Sequence, residues 1–257
     1  MELVDTHTHI YLEDFKDDIA EIITSAKAAG VKRFYLPAID SSAINQILEL
    51  ESKYPGICIP MTGLHPCSVK ENFEEELAIV AKWLQKRSFV AIGEIGLDFY
   101  WDKTFTTQQF AAFNYQMELA LQYQLPIVIH TRNAMTETID AVRPFANKGL
   151  RGIFHCFGGT KQEAEEIINM GFYLGIGGVL TYKKSGLAEV MAEVSLEHVV
   201  LETDSPYLTP VPFRGKRNES KHIHLIAEKL AEIKGILLEE VAGITTANAN
   251  KIFNFTL

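Results

Sequence analysis

The feature that most constrains the fold is a repeated alternation of short β-rich runs with amphipathic segments of helical period. Eight runs have the composition of buried strands: 3–4, 32–36, 57–61, 90–92, 126–129, 151–154, 172–176 and 198–201. Strands that alternate with helices predict an α/β fold with a parallel sheet covered by helices. The pattern fits both a closed (β/α)₈ barrel and an open doubly wound sheet. No GxGxxG sequence follows the first run, which counts against dinucleotide binding.

The segments between these runs carry the signatures of helices. Two pairs, Thr106 with Gln109 and Thr160 with Glu163, match the capping box, in which two side chains close the first turn of a helix. A further helical segment, at about residues 239–253, ends the chain. We expect this last helix to close the bottom of a barrel.

Length and cysteine content limit the class of protein. The chain has 257 residues, close to the roughly 250 typical of a (β/α)₈ barrel, so we expect residues 1–257 to form one domain. The first residues lack the basic and apolar stretches of a signal peptide, and no apolar run is long enough to cross a bilayer. Three cysteines without a CxxC pair indicate reduced thiols. We therefore expect a cytoplasmic protein that does not associate with membranes.

The net charge of -9 restricts how the chain can contact nucleic acid. Proteins that grip long duplexes by the phosphate backbone are usually basic. Any such contact must therefore be local or carried by bound cations, which counts against a general DNA-coating role. We expect no stable protein partner.

Residues with metal-ligand chemistry stand at the carboxyl ends of five predicted strands. They follow or end runs one, four, five, six and eight, and they are His7, His9, Glu94, His130, His155 and Asp204. In a parallel barrel these ends converge on one face, where such folds carry their active sites. We therefore expect six side chains that are far apart in the sequence to be neighbours in space.

Each of these residues alone also has an ordinary structural explanation. His7 and His9 are two apart on an extended segment and point the same way, so they can bind one ion, but they can equally have backbone partners. A histidine after a buried strand is more often a satisfied structural residue than a ligand. Asp204 precedes Ser205 and Pro206, a sequence that is also typical of a turn. The combination of all six favours a shared metal site.

The number of these residues indicates more than one ion. Four histidines and two carboxylates suit zinc, manganese or a similar divalent ion. The set is too large for one catalytic ion that keeps an open position, and it fits two ions about 3.5–4 Å apart that share a carboxylate and a water. Glu94, which lies among the histidines, is the candidate for the shared carboxylate.

Seven segments of the chain resemble the motifs of a known family. They are DTHTH at 5–9, GLHP at 63–66, GEIGLD at 93–98, HTR at 130–132, HCFGG at 155–159, ETDSP at 202–206 and RGKRNE at 214–219. In this order, over nearly the whole chain, they resemble the TatD family of metal-dependent deoxyribonucleases, relatives of the amidohydrolases. One departure is Ser220, because the family usually has proline after Asn-Glu.

The resemblance implies a TIM-type barrel and a division of the ligands between two ions. One ion would be held by His7, His9 and Asp204, the other by His130 and His155, with Glu94 bridging. Asp204 would also help to orient or deprotonate the attacking water. Members of the family are described as magnesium-dependent DNases, some with 3′–5′ exonuclease activity. Histidine-rich ligation favours zinc or manganese over magnesium, so the identity of the ions stays open.

Cations near the proposed mouth are candidates for phosphate contacts. The loops of the mouth carry Arg132, Lys183, Lys184, Arg214, Lys216 and Arg217. Ordinary surface solubility explains the lysines, whereas the guanidinium groups of Arg132 and Arg214 suit phosphate oxygens through forked hydrogen bonds. His65, at the end of the third strand, is a catalytic candidate beside Glu94 and Asp204. It would donate to a phosphate or to the leaving oxygen, or else support a ligand from behind.

Three further residues complete the expected site. Tyr100, between Phe99 and Trp101, is a candidate for stacking on a terminal base, although a packed loop would explain it equally well. Asp98 and Glu202 are expected to orient ligating histidines from behind.

Three functions are compatible with these residues. The first is a two-metal DNase that acts on single-stranded DNA or on 3′ ends. The second keeps the metals but cleaves an amide, a lactone or the ester of a D-aminoacyl-tRNA, and the acidic net charge favours it. The third is a non-catalytic binding protein on a barrel scaffold. The complete ligand set argues against the third.

Overall fold

The computed structural model describes residues 1–254 as eight parallel strands that alternate with helices. The strands are β1 Leu3–Asp5, β2 Val31–Leu36, β3 Cys58–Pro60, β4 Ile92–Asp98, β5 Ile127–Arg132, β6 Gly152–Phe154, β7 Tyr173–Ile176 and β8 Val199–Leu201. The helices are α1 Ile19–Ala28, α2 Ile44–Lys53, α3 Phe73–Lys86, α4 Thr106–Tyr123, α5 Met135–Ala146, α6 Lys161–Asn169, α7 Leu187–Glu193, α8 Ile223–Lys234 and α9 Leu238–Phe253.

The strands form a ring in chain order. Hydrogen-bonded ladders run through two sheets, one with the strand order β1-β2-β3 and the other with the order β4-β5-β6-β7-β8. Backbone hydrogen bonds outside the ladders connect the two sheets at both seams. For example, the Gly93 N–H donates to the Thr62 carbonyl at 2.9 Å, and the Thr6 N–H donates to the Leu201 carbonyl at 3.1 Å. This is the (β/α)₈ barrel architecture, which resolves the choice that the sequence pattern left open.

Two strands, β4 and β5, extend several residues beyond the carboxyl ends that the sequence pattern predicts. The prediction for the fourth strand, 90–92, is wrong, because the strand is Ile92–Asp98 and Glu94 lies inside it. Likewise β5 continues past His130 to Arg132. The length of β4 does not show in the sequence pattern, because its glycines interrupt the apolar run while the backbone stays extended.

The two predicted capping boxes have different outcomes. The box of Thr160 and Glu163 is present at the start of α6. The other is wrong, because Thr106 is already the first helical residue of α4 and its hydroxyl donates to the Lys103 carbonyl. Gln109 instead bonds the backbone of Asp98, accepting from its N–H at 2.9 Å.

Helix α9 closes the lower end of the barrel, as the sequence predicts. An apolar cluster inside the ring takes at least one residue from or beside each strand, including Val4, Val128 and Val200, and is completed by residues of α9. The Phe253 ring stacks on Tyr35 with the ring centroids 4.1 Å apart. Because Val4, Val128 and Val200 precede His7, His130 and Asp204 along their strands, the cluster lies beneath the predicted metal ligands. Within residues 1–254, no helix combines the length and the hydrophobicity that a membrane span requires.

Candidate metal centre

All six predicted metal ligands meet at the carboxyl end of the barrel. A cavity of about 760 Å³ opens there, and its walls include His9, His65, Glu94, His130, His155 and Asp204. His7 is fully buried and contacts both carboxylates beneath the cavity. The topology therefore brings together residues that are almost 200 positions apart, as the strand-end pattern predicts.

Glu94 reaches the barrel axis because of an irregularity in β4. The ladder pairs Gly93 with Val128 and Ile95 with Ile129, so Glu94 is an extra residue with no partner on β5. Such a bulge changes the direction of a side chain and is common beside active sites. A Cβ atom on Gly96 would collide with the backbone carbonyl oxygen of β5. Glycine there lets the two strands approach closely around the bulge.

The two carboxylate oxygens of Glu94 face two different sets of histidines. Oε2 lies 3.2 Å from Nε2 of His7 and 3.6 Å from Nε2 of His9. Oε1 lies 3.0 Å from Nδ1 of His130 and 3.7 Å from Nε2 of His155. Nε2 of His65 also lies near Oε1, at 3.5 Å. Glu94 thus stands between two sets of imidazole nitrogens, with one oxygen toward each set.

Asp204 completes the cluster from the opposite side. Its Oδ1 lies 3.5 Å from Nε2 of His9, 3.7 Å from Nε2 of His7 and 3.9 Å from Nε2 of His155. Its backbone has φ of 56°, a left-handed conformation that aspartate adopts more readily than most residues. The Asp204 N–H donates to the His7 carbonyl at 2.9 Å, which fixes the turn after β8 against the loop after β1.

The donor atoms are close enough to hold metal ions. Among the described residues, three groups have ligand atoms that all lie within 4.8 Å of one another. These groups are His7 with His9 and Glu94, His7 with His155 and Asp204, and His65 with Glu94 and His130. Imidazole nitrogens and carboxylate oxygens in such groups match the ligand chemistry of divalent transition ions.

Tyr11 was missed by the sequence reasoning and fixes the tautomer of His9. The Tyr11 hydroxyl donates to the Pro37 carbonyl at 2.7 Å and lies 2.9 Å from Nδ1 of His9. Because a carbonyl can only accept, the hydroxyl oxygen is free to accept the Nδ1 proton, which leaves the Nε2 lone pair facing the cavity. Tyr11 could have been found by extending the two-residue spacing of His7 and His9 by one more step.

Two carboxylates lie against the far nitrogens of His130 and His155. Oδ2 of Asp98 lies 2.8 Å from Nε2 of His130, so Nδ1 of that ring faces Glu94. Oε1 of Glu202 lies 2.9 Å from Nδ1 of His155, so Nε2 of that ring faces the cluster. A carboxylate behind a ligating histidine fixes the orientation and the tautomer of the ring and increases its basicity.

The electrostatics of the cluster favour positive charge within it. Burial raises the pKa of Glu94, but the surrounding imidazoles outweigh burial and hold that pKa well below its usual range. In the same way the pKa of Asp204 is lowered, chiefly by His155 against the effect of burial. Burial lowers the pKa of His155, but Glu202 and Glu94 outweigh it and raise that pKa to about 10. The carboxylates of Glu94 and Asp204 therefore remain ionised. Their negative charge favours the binding of divalent metal ions between them.

His65 presents a hydrogen-bond donor to the same cavity. Its Nδ1 accepts the N–H of Cys67 at 3.0 Å, at the start of the short 3₁₀ turn Pro66–Ser68. The neutral ring therefore carries its proton on Nε2, which lies 3.5 Å from Oε1 of Glu94. A protonated nitrogen cannot ligate a metal, so this tautomer suits contact with substrate better than ligation.

The cations of the mouth divide into two kinds. The guanidinium of Arg132 lies 3.8 Å from the centre of the Tyr100 ring, and that of Arg214 lies 3.9 Å from the centre of the Tyr182 ring. Arg217 instead pairs with Asp18, at 2.5 Å between Nη2 and Oδ2, and so fastens its loop to the start of α1. Arg132 and Arg214 are both exposed, and Arg132 lines the cavity, whereas Arg217 is engaged within the fold.

The aromatic residues that line the cavity are Trp101 and Tyr207, and Tyr100 is not among them. Trp101 lines the cavity, whereas one face of Tyr100 is covered by Arg132.

Ser220, which departs from the family pattern, is buried with its hydroxyl 3.3 Å from that of Thr8. A polar contact therefore holds this loop at the point where the family usually has proline.

Comparison with known proteins identifies the family. A family model described as "TatD related DNase" matches residues 4–254. The chain belongs to the TatD-related DNase family. The chain is 38% identical over 252 residues to the uncharacterized metal-dependent hydrolase YabD of Bacillus subtilis, with 98% of each chain covered. It is 32% identical over 263 residues to the 3'-5' ssDNA/RNA exonuclease TatD of Citrobacter rodentium, with 99% of each covered.

A solved structure of the TatD-related DNase family has the same fold. The TatD homologue YJJV of Escherichia coli superposes with a TM-score of 0.93 at 28% sequence identity, covering 99% of this chain and 98% of that one. This likeness confirms the barrel. Membership of the family makes the chain a hydrolase that acts on ester bonds, as the sequence predicts.

Proposed function

We propose that the chain is a cytoplasmic two-metal nuclease that hydrolyses phosphodiester bonds of DNA, preferring single strands or 3′ ends. The observation that carries this proposal is the position of Glu94, whose two oxygens face separate sets of imidazole nitrogens. A carboxylate with donors on both sides is the arrangement that two neighbouring divalent ions require. The name of the Citrobacter relative supports the choice of a single strand, and three free cysteines support a reducing compartment.

The donor set divides into two groups around Glu94. One ion would be held by His7, His9 and Asp204, and the other by His130 and His155, with Glu94 serving both. The unprotonated nitrogens left by the contacts of Tyr11 and Asp98 fit this role. Four nitrogens among six donors favour zinc or manganese over magnesium, which prefers oxygen. When bound, a pair of such ions lowers the pKa of a water and neutralises charge on the phosphate.

Side chains of the protein would orient the attacking water, donate a proton and bind the phosphates of the substrate. Asp204, which its lowered pKa keeps as the carboxylate, would orient the attacking water or accept its proton. Nε2 of His65 would donate to a phosphate oxygen or to the leaving 3′ oxygen. Arg132 and Arg214, at the rim, would hold flanking phosphates by forked hydrogen bonds. Such a local set of contacts is compatible with a net charge of -9.

The alternative reaction is hydrolysis of an amide, a lactone or the ester of a D-aminoacyl-tRNA, which the acidic net charge favours. Purified protein would be stripped with a chelator, reloaded with zinc, manganese or magnesium, and assayed on labelled single-stranded DNA, duplex DNA and D-aminoacyl-tRNA. We expect shortening of the single strand from its 3′ end. Cleavage of the tRNA ester with the DNA left intact would overturn the proposal in favour of the alternative.

A variant pair tests the bridging role of Glu94. We expect Glu94→Gln to abolish turnover and to reduce the metal content from two ions per chain while the protein stays folded. Glu239→Gln, on the exposed first turn of α9, is the matched control and should keep both. Metal stoichiometry and position are measured by elemental analysis and anomalous scattering. Full activity in Glu94→Gln would remove the bridging role.

A further inference from the structure

Two exposed aromatic side chains line the cavity above the metal ligands. Trp101 is 67% exposed and Tyr207 is 52% exposed, and both belong to the cavity wall. Large aromatic rings usually bury most of their surface, so exposure at the mouth of a functional cavity calls for a partner. The reaction proposed above assigns no role to either ring.

The two rings come from opposite sides of the barrel. Trp101 follows the end of β4 by three residues, and Tyr207 follows the end of β8 by six. In a ring of eight strands in chain order, β4 and β8 are half a turn apart. Glu94 on β4 and Asp204 after β8 lie between and below them. The opening of the cavity is therefore flanked by one aromatic ring on each side of the metal ligands.

The backbone beneath each ring is firmly held. The N–H of Trp101 donates to Oδ1 of Asp98 at 3.0 Å. The N–H of Tyr207 donates to the Asp204 carbonyl at 2.7 Å, and its carbonyl accepts from the side chain of Asn218 at 2.7 Å. Rings that are fixed at the backbone and open to solvent lose little entropy when a flat ligand stacks on them. They are preorganised for such a ligand.

We propose that Trp101 and Tyr207 are two base-stacking platforms, each binding one unpaired nucleobase on either side of the phosphodiester that is cleaved. This inference rests on the proposed nuclease function. Base–aromatic stacking accepts every base, because every base has a π face, so these platforms select an unpaired strand without selecting a sequence. The guanidinium of Arg132, 5.2 Å from the centre of the Trp101 ring, is placed to contact the phosphate that follows the stacked base.

The dimensions of the cavity support an unpaired substrate. Its volume of about 760 Å³ lies in the range of roughly 300–1,000 Å³ that encloses one small organic ligand. The metal ligands on its floor are buried, with Glu94 only 3% exposed. A duplex cannot bring its backbone to that floor without separating the bases at the point of entry. A strand whose two bases are splayed onto opposite walls can do so.

The test compares a natural strand with one that lacks the bases. Metal-loaded Trp101→Ala and Tyr207→Ala would be assayed on oligothymidylate and on the same strand with abasic sites at its last two 3′ positions. Stacking of this kind predicts a loss of about 5- to 150-fold in kcat/KM on the natural strand. We expect almost no loss on the abasic strand. Trp101→Phe and Tyr207→Phe, which keep a stacking face, should recover most of the activity.

Tyr115→Ala is the matched control, because Tyr115 is an exposed aromatic residue of α4 that does not line the cavity. It should leave both substrates unaffected. Unchanged kcat/KM in the two alanine variants on the natural strand would overturn the proposal. Equal losses on the natural and abasic strands would also overturn it, since they indicate damage to the site rather than loss of stacking.

A binding measurement separates failure of this inference from failure of the proposed function. The chain has two tryptophans, Trp83 and Trp101, so Trp83→Phe leaves Trp101 as the only indole. If the metal-loaded protein cleaves no oligonucleotide, the nuclease proposal fails, and oligothymidylate should still quench the Trp101 fluorescence. The abasic strand should quench it far less. Absence of quenching by oligothymidylate would overturn the stacking role whatever the activity.

Discussion

Removing one oxygen atom from Tyr11 should weaken metal binding without disturbing any ligand. In Tyr11→Phe the ring stays, but the hydroxyl that links Nδ1 of His9 to the Pro37 carbonyl is lost. The Nδ1 proton and the carbonyl then lack a partner in a buried region, and each such group costs about 1–3 kcal/mol. The proton on His9 is also free to move to Nε2, the atom that faces Glu94.

The expected effect follows from these two consequences. A tautomer preference of about 1–3 kcal/mol corresponds to roughly 5- to 150-fold in the dissociation constant of the ion that His9 holds. Loss of a group behind a metal ligand typically costs about 10- to 100-fold, which agrees. The ion held by His130 and His155 should be affected much less, because its ligands do not contact Tyr11.

The assay is competition with a chromophoric chelator, which resolves two binding steps, together with thermal unfolding of the metal-free protein. Tyr115→Phe is the control, since its hydroxyl lies on an exposed part of α4. Two unchanged dissociation constants in Tyr11→Phe would refute the tautomer argument. A lower unfolding temperature with unchanged metal affinity would show that Tyr11 serves packing alone.

Three further predictions follow from other contacts of the site. Asp98→Asn should lower the affinity of the His130 ion by about 10- to 100-fold, measured by the same competition, because an amide supports the imidazole less well than a carboxylate. Gly96→Ala should lower the free energy of unfolding, measured in urea, by more than Gly186→Ala does. Both glycines have a positive φ, but only at Gly96 would the new methyl group collide with the backbone of a neighbouring strand. Chelation should lower the thermal unfolding temperature, and zinc or manganese should restore it, since an ion at 1,000 times its dissociation constant adds about 4 kcal/mol; an unchanged temperature would mean that the cluster binds no ion.

Much of the site could be predicted from the sequence because a parallel barrel gathers strand ends. His7, His130 and Asp204 each follow a short apolar run, and the rule that carboxyl ends share one face requires no knowledge of side-chain contacts. Asp98 and Glu202 were reachable by the same rule, since each lies within a few residues of a strand end.

Other features depend on contacts that no local pattern encodes. Nothing in the apolar run before Glu94 reveals that β4 continues to Asp98, nor that a bulge at Glu94 aims its carboxylate at the axis. The partner of Tyr11 is a carbonyl 26 positions away, on a different loop. The preference for Tyr100 as the stacking residue could not anticipate that Arg132, from the neighbouring strand, would cover that ring. Each of these facts concerns packing between strands, which the sequence specifies only through the whole fold.

The carboxylate of Asp98 joins two parts of the molecule that serve different purposes. One oxygen holds His130, and the other accepts the backbone N–H groups of Tyr100 and Trp101. A single side chain therefore connects the proposed metal site to the rim of the cavity, so a substitution at Asp98 would move both. If both proposals hold, affinity for the ion and stacking of the strand are coupled through this residue, and either property can be changed separately only at other positions of the rim.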